Sequence, residues 1–256
     1  DRHELERGLL PAGRLEDIGD WWTWLSTSCY TWRGLDAAAW ALEQIQHPEA
    51  RRVRAEATAY HQNLLDNFRK ASERSPVVRL RDGTYVPKYP SNLYDRGRAY
   101  GWIRETLEGA MYLPAFGLLA ADSPETRWIL KDYEDNLYIS DRYGFAIPTF
   151  DRFWFSRGGF SMQANLLPGP MPSLQHDQIL HFMQAWLNGF ASEFDPPIRM
   201  CSEGTTPELG YPEGDHFKTS DEAQCTRWLR LMFVREEGND LYLGQAIPRY
   251  WMEDGK

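Results

Sequence analysis

The sequence predicts an all-α protein of antiparallel helical hairpins, with minor β structure in the connections and at the C-terminus. Three observations carry this. Apolar residues recur at three- and four-residue steps through residues 28–45, as in Trp32, Leu35, Ala39 and Leu42. Apolar helical segments alternate with more charged ones. Each apolar segment passes to its charged neighbour through a short turn, whereas each charged segment reaches the next apolar one through a long polar connection. Pairs repeated in this way form an array that curves around an axis, with the short turns on one rim and the long connections on the other.

Residues 1–20 carry turn signals, PAG and GD, and no sustained period, which predicts an irregular or extended lead-in. The first helix, 28–45, is apolar, and Ala37, Ala38 and Ala39 let a neighbouring helix approach closely. His47-Pro48 interrupts it. A second helix is predicted over 48–74, with Pro48 at its first position and Glu49 in its first turn. Its higher charge makes it the outer, solvated member of the pair and the first helix the inner one.

In the connection after Ser75, an RDGT turn closes a small hairpin of strands around residues 77–80 and 84–86. A second apolar helix is predicted over 102–121, kinked near Pro114. Asp122-Ser123-Pro124-Glu125 stops it and caps an amphipathic helix that runs to about residue 139. Residues 140–172 form the next long connection, with a short helix at 151–155. A third apolar helix is predicted over 174–194, a polar loop over 198–221 and a fourth helix over 220–234. The ending, DLYLGQAIPRYWMEDGK, reads as strand and has no closing signal, so the polypeptide is expected to be part of a longer one.

This topology predicts that residues 17–24, 75–105, 141–177 and 198–221 share one rim, where the inner helices begin. Helix N-termini there offer unsatisfied N–H groups and partial positive charge, which favour anionic or hydroxyl-rich ligands.

Composition narrows the function classes. With 256 residues, 42% hydrophobic and 25% charged, the chain can bury a sizeable core, and one compact domain over 1–256 is expected. A net charge of -9 argues against a nucleic-acid surface, which needs clustered Lys and Arg to neutralise phosphates. No apolar run approaches membrane-spanning length, so no membrane partner is expected. The start lacks the charged-then-apolar pattern of a signal peptide, which leaves the compartment open between cytoplasmic and secreted with the signal removed. Cys29, Cys201 and Cys225 form no CxxC pair, and an odd number leaves at least one thiol free. The 11 tryptophans are an unusual number, and most of these rings are expected in the core because aromatics bury large areas. Those not buried are candidate platforms for the C–H faces of sugar rings.

The stretches EDIGDWWTWLSTSCYTWRGLDAAAWAL, HDQILHFMQAWLNGFAS and GDHFKTSDEAQCTRWLRLMFV, with the ending LYLGQAIPRYWMEDGK, resemble the C-terminal part of the catalytic domain of six-hairpin, or α/α toroid, glycoside hydrolases. The resemblance covers most of the chain and is strongest from Phe160 onward. It implies a partial toroid of about three and a half hairpins and hydrolysis of glycosidic bonds. It also implies a carbohydrate substrate, no cofactor, and a tendency to self-associate through helix flanks that an incomplete toroid leaves exposed.

Hydrolysis of that kind needs two carboxyl groups, roughly 5 Å apart for retention or roughly 6.5–9.5 Å for inversion. The catalytic candidates are Glu105 in the first turn of the second inner helix, Asp177 at the start of the third, and Glu203 between apolar residues and turn residues of the 198–221 segment. The expected substrate-binding set is Trp21, Trp22 and Trp24 before the first helix, Trp102 and Arg104 beside Glu105, Trp154, His176, and the Asp215-His216 pair of the GDH turn. Each has a plain structural alternative, since acids cap helices, keep loops solvated and aromatics fill cores. No metal site is expected, because His176 and His181 are five apart and do not share one helical face.

A second class of function is a non-catalytic helical module that binds a glycan or a partner subunit through the same rim. An isoprenoid cyclase, also a helical toroid, needs an aspartate-rich metal motif that DYED at 132–135 does not supply.

Overall fold

The computed structural model describes residues 3–14, 21–97, 110–137, 171–183, 186, 190, 194–195, 199–206, 211–217 and 219–253. The chain is mainly helical with small antiparallel sheets. Its contacts gather into two compact units, Asp1–Tyr133 and Glu134–Lys256.

In the first unit, α1 (Leu25–Gln44) and α2 (Ala50–Glu73) form the expected hairpin. Pro48 lies two residues ahead of α2 instead of opening it. There the His47 carbonyl accepts the Ala50 N–H (3.0 Å) and His47 Nδ1 accepts the Glu49 N–H (3.2 Å), so a separate turn precedes the helix. The inner and outer roles also differ from expectation. Helix α2 buries Ala57, Tyr60, Leu64, Leu65, Phe68 and Ala71 along one stripe, while α1 buries mostly its first two turns and exposes Tyr30 and Trp40. Mean apolarity did not decide burial; the spacing of apolar residues on α2 did, because a helix needs only one apolar stripe to enter a core.

The hairpin β1 (Val78–Arg79) and β2 (Tyr85–Val86) closes over the RDGT turn, with Val78 opposite Val86. The Asp82 side chain accepts the Thr84 hydroxyl (2.6 Å) and the Thr84 N–H (2.8 Å), which hold the turn and keep the carboxyl below its usual range. The expected long kinked helix is instead, within residues 110–121, the short α3 (Tyr112–Ala115), with Pro114 inside it. Gly117 at φ 78 ends it: the Leu118 N–H reaches back to the Leu113 carbonyl (2.8 Å) and the Gly117 N–H to that of Pro114 (3.1 Å). That is the paired-bond termination of a helix by a left-handed residue, with Leu113 and Leu118 both buried beneath it. Helix α4 (Pro124–Leu137) starts as predicted, with Ser123 Oγ accepting the Thr126 N–H (3.1 Å) and Pro124 in first place. Its Asp132 forms a buried ion pair with Lys88 (2.8 Å). Leu5, Leu64, Phe68, Leu93, Leu113 and Ile129 anchor this unit's core.

In the second unit the expected helix over 174–194 is interrupted. Helix α5 (Met171–Gln175) ends at Asp177, whose φ of 57 is left-handed, and the helix resumes at residue 179. The Gln178 N–H bonds the Ser173 carbonyl (2.8 Å) and the Asp177 N–H that of Leu174 (3.0 Å), the same termination as at Gly117, here made by an aspartate.

The polar segment 198–221 is not a loop along its length. It folds into β4 (Met200–Thr206) and β5 (Tyr211–Phe217), and β4 also pairs with β3 (Phe194–Asp195). The strand-forming Thr205, Thr206, Tyr211 and Phe217 flank a Pro-Glu-Leu-Gly turn signal, and this outweighs the acids and glycines between them. Helix α6 (Thr219–Phe233) follows as expected. The final hairpin, β6 (Val234–Glu237) and β7 (Asp240–Leu243), turns on Gly238-Asn239, and a short 3-10 turn at Arg249–Met252 replaces the expected strand there. Leu174, Phe182, Cys201, Trp228 and Met232 lie in this unit's core. No described helix is long and apolar enough to cross a membrane.

Candidate functional site

Two of the four predicted rim segments meet in the first unit. Trp24 caps α1 in extended conformation and bridges to Asn92, and the Leu25 N–H donates to the Ser91 carbonyl (2.8 Å). Trp22 pairs with Gly13 through both backbone bonds, at 3.1 and 3.0 Å. This short extended stretch sorts the three tryptophans. Trp21 is 65% exposed, Trp22 is half-buried, and Trp24 is core, its indole N–H held by the Gly13 carbonyl (3.0 Å). Trp24 therefore leaves the set of sugar platforms: it anchors the segment that presents the other two.

Facing Trp22 is Tyr94, at 6.1 Å between ring centroids, with His3 edge-on at 5.5 Å on Tyr94. The Tyr94 hydroxyl donates to Glu6, and burial together with this bond pushes its phenol up to about 12. Asn92, fully buried, holds the loop by accepting the N–H groups of Tyr94 (2.9 Å) and Asp95 (3.1 Å), while the Ser91 hydroxyl donates to the Asp95 carboxylate (2.8 Å). The result is an aromatic patch edged with acceptors, a surface suited to a ring with one C–H face and equatorial hydroxyls. Tyr94, Glu6 and Asp95 were not among the sequence candidates. The SNLYD run carries turn chemistry that marks the loop, but nothing in the sequence pairs Tyr94 with a residue 88 positions away.

The second unit positions the other candidates. Asp177 sits in the exposed turn after α5, with the Gln245 side-chain amide 3.4 Å from its carboxylate and 2.9 Å from the Leu174 carbonyl. Gln245 is in turn fixed by the buried Arg235 (3.0 Å), whose guanidinium lies 3.9 Å over the Tyr242 ring. His176 is half-buried, and its buried Nε2 has no hydrogen-bond partner among the described residues. Asp177 and His176 thus occupy a turn between helices and not the first turn of an inner helix.

Three further candidates lie on the β4–β5 ladder. Ser202 pairs with Phe217 and Gly204 with Glu213, so one residue on β4, Glu203, spans the same interval as three on β5, Gly214, Asp215 and His216. The register shift leaves Glu203 on β4 across from the stretch of β5 that carries Asp215 and His216. Such irregularities bend a strand and re-aim its side chains, and they concentrate beside active sites. The chain matches no family model, no curated protein and no solved structure. Glu105, Trp102, Arg104 and Trp154 lie outside the described residues.

Proposed function

We propose that this chain is a glycoside hydrolase-like domain, part of an α/α toroid, that acts on a carbohydrate with a carboxylate pair. The observation that carries the proposal is the register shift of the β4–β5 hairpin, which sets Glu203 across from Asp215 and His216. One carboxyl group protonates the leaving oxygen and the other acts as base or nucleophile; His216 beside them supplies a hydrogen bond or a proton relay. Asp177, held by Gln245 in a separate turn, has the weaker case for acid or base work. The exposed indole of Trp21 offers a stacking face for a sugar ring.

The test is a screen of aryl glycosides with the whole chain. Hydrolysis by the wild type that falls about 10²–10⁴-fold in Glu203→Gln is the expected result. Hydrolysis unchanged by that substitution removes Glu203 from the chemistry.

A second reading, a glycan-binding module without catalysis, is favoured by one observation: the acids at the aromatic patch are already engaged, Glu6 by Tyr94 and Asp95 by Ser91. It predicts oligosaccharide binding that Trp21→Ala weakens, with no turnover of any glycoside.

A further inference from the structure

A separate cleft of about 380 Å³ opens in the first unit, where the last turns of α2 meet the start of α4 and the β1–β2 hairpin. Its size falls within the range of about 300–1,000 Å³ of small-molecule sites. One wall is apolar. Trp128 packs against Val78, Leu80 and Val86, which fixes its ring, and the nearly buried Tyr89 and the exposed Val77 continue the surface. The other wall is an ion pair, Arg69 with Glu125 at 3.4 Å, with the exposed Glu73 beside it.

The chemistry of these walls selects the ligand. An anion would have to draw Arg69 from Glu125 while facing Glu73, and a cation would face Arg69. A neutral ring bearing adjacent hydroxyls meets neither conflict: one hydroxyl accepts from the Arg69 guanidinium, its neighbour donates to the Glu125 carboxylate, and the C–H face lies against Trp128. We infer that this cleft binds one neutral sugar ring, as a glycan site built from residues distinct from the aromatic patch at Trp21 and from the Glu203 hairpin. The choice of a sugar among small polyols rests on the carbohydrate reading above.

Tryptophan indole N–H signals of the full chain, followed by NMR while methyl glycosides of glucose, galactose, mannose and xylose are added at millimolar concentration, test this. The Trp128 signal is assigned by its loss in Trp128→Phe. The expected result is that at least one glycoside shifts the Trp128 signal, that Arg69→Leu weakens this binding by at least about tenfold, and that Trp21→Ala leaves it unchanged. Arg69 is a partly exposed side chain, so this variant reads the cleft without emptying the core. A Trp128 signal unmoved by every glycoside, while the Trp21 signal moves or aryl glycosides are hydrolysed, overturns the cleft alone. A shift undiminished in Arg69→Leu overturns it as well. Silence of both indoles together with no hydrolysis overturns the cleft and the carbohydrate reading.

Discussion

Tyr94 links Trp22, His3 and Glu6 in the first unit. Its phenol is held neutral by burial and by the bond to Glu6, so its pKa in the fold, about 12, lies above its ordinary value of 10. The unfolded chain therefore releases this proton first as pH rises. The stabilisation is complete below pH 10 and is lost between there and about 12. Tyr60, Tyr89 and Tyr112 are raised too, chiefly by burial, and contribute in the same direction. Alkaline unfolding followed by circular dichroism is expected to show a shallower loss of stability from pH 10 to 12 in Tyr94→Phe than in wild type. Identical profiles would mean that the Glu6 bond is not made in solution. The three cysteines are all buried thiols outside any disulfide, and burial pushes the Cys29 thiol well up. An aromatic disulfide reagent at neutral pH should titrate none of them in the native chain and three after unfolding; rapid native labelling of Cys29 would contradict the α1–α2 packing.

At the scale of elements, apolar contact and not surface charge holds the first hairpin. Arg54 ties Asp36 (2.5 Å) and Glu43 (2.8 Å) across it, but all three side chains are substantially solvated. Leu64 is fully buried in the core between α2 and its neighbours. Leu64→Ala is expected to cost about 2–5 kcal/mol in denaturant unfolding, and Arg54→Ala far less; the reverse order would show that the hairpin is held electrostatically. Much of this level was legible in the sequence. The 3.6-residue period marks α1, the Ser-Pro-Glu run marks the start of α4, and the RDGT turn marks β1–β2. Other parts were not. Asp177 terminates α5 in a left-handed conformation that glycine would have advertised and aspartate does not. The β4–β5 hairpin was masked by its acids and glycines, although Thr-Thr before and Tyr after a Pro-Glu-Leu-Gly turn did signal it. The Gly238-Asn239 turn between β6 and β7 was a direct signal for a hairpin that the reading of the ending as a lone strand passed over.

For the whole molecule, the candidate site was legible as residue types and not as partnerships. Glu203, Asp215 and His216 stand out singly in the sequence, but only the pairing of β4 with β5, and its shift between Ser202 and Gly204, leaves Glu203 across from the stretch that carries the other two. Likewise the tryptophan run before α1 announces stacking surface, while the bridge to Asn92 and the bond from Trp24 to Gly13 decide which indole faces out. The function proposed for this chain therefore rests on how two ladders are registered. The most direct measurement of that claim is a double-variant cycle on kcat/KM for the aryl glycoside hydrolysed best, comparing wild type, Glu203→Gln, Asp215→Asn and the double variant. If the hairpin sets the two carboxylates to one reaction, each single substitution removes most of the activity and the double variant falls little further. Losses that multiply, or an Asp215→Asn variant as active as wild type, would contradict the account.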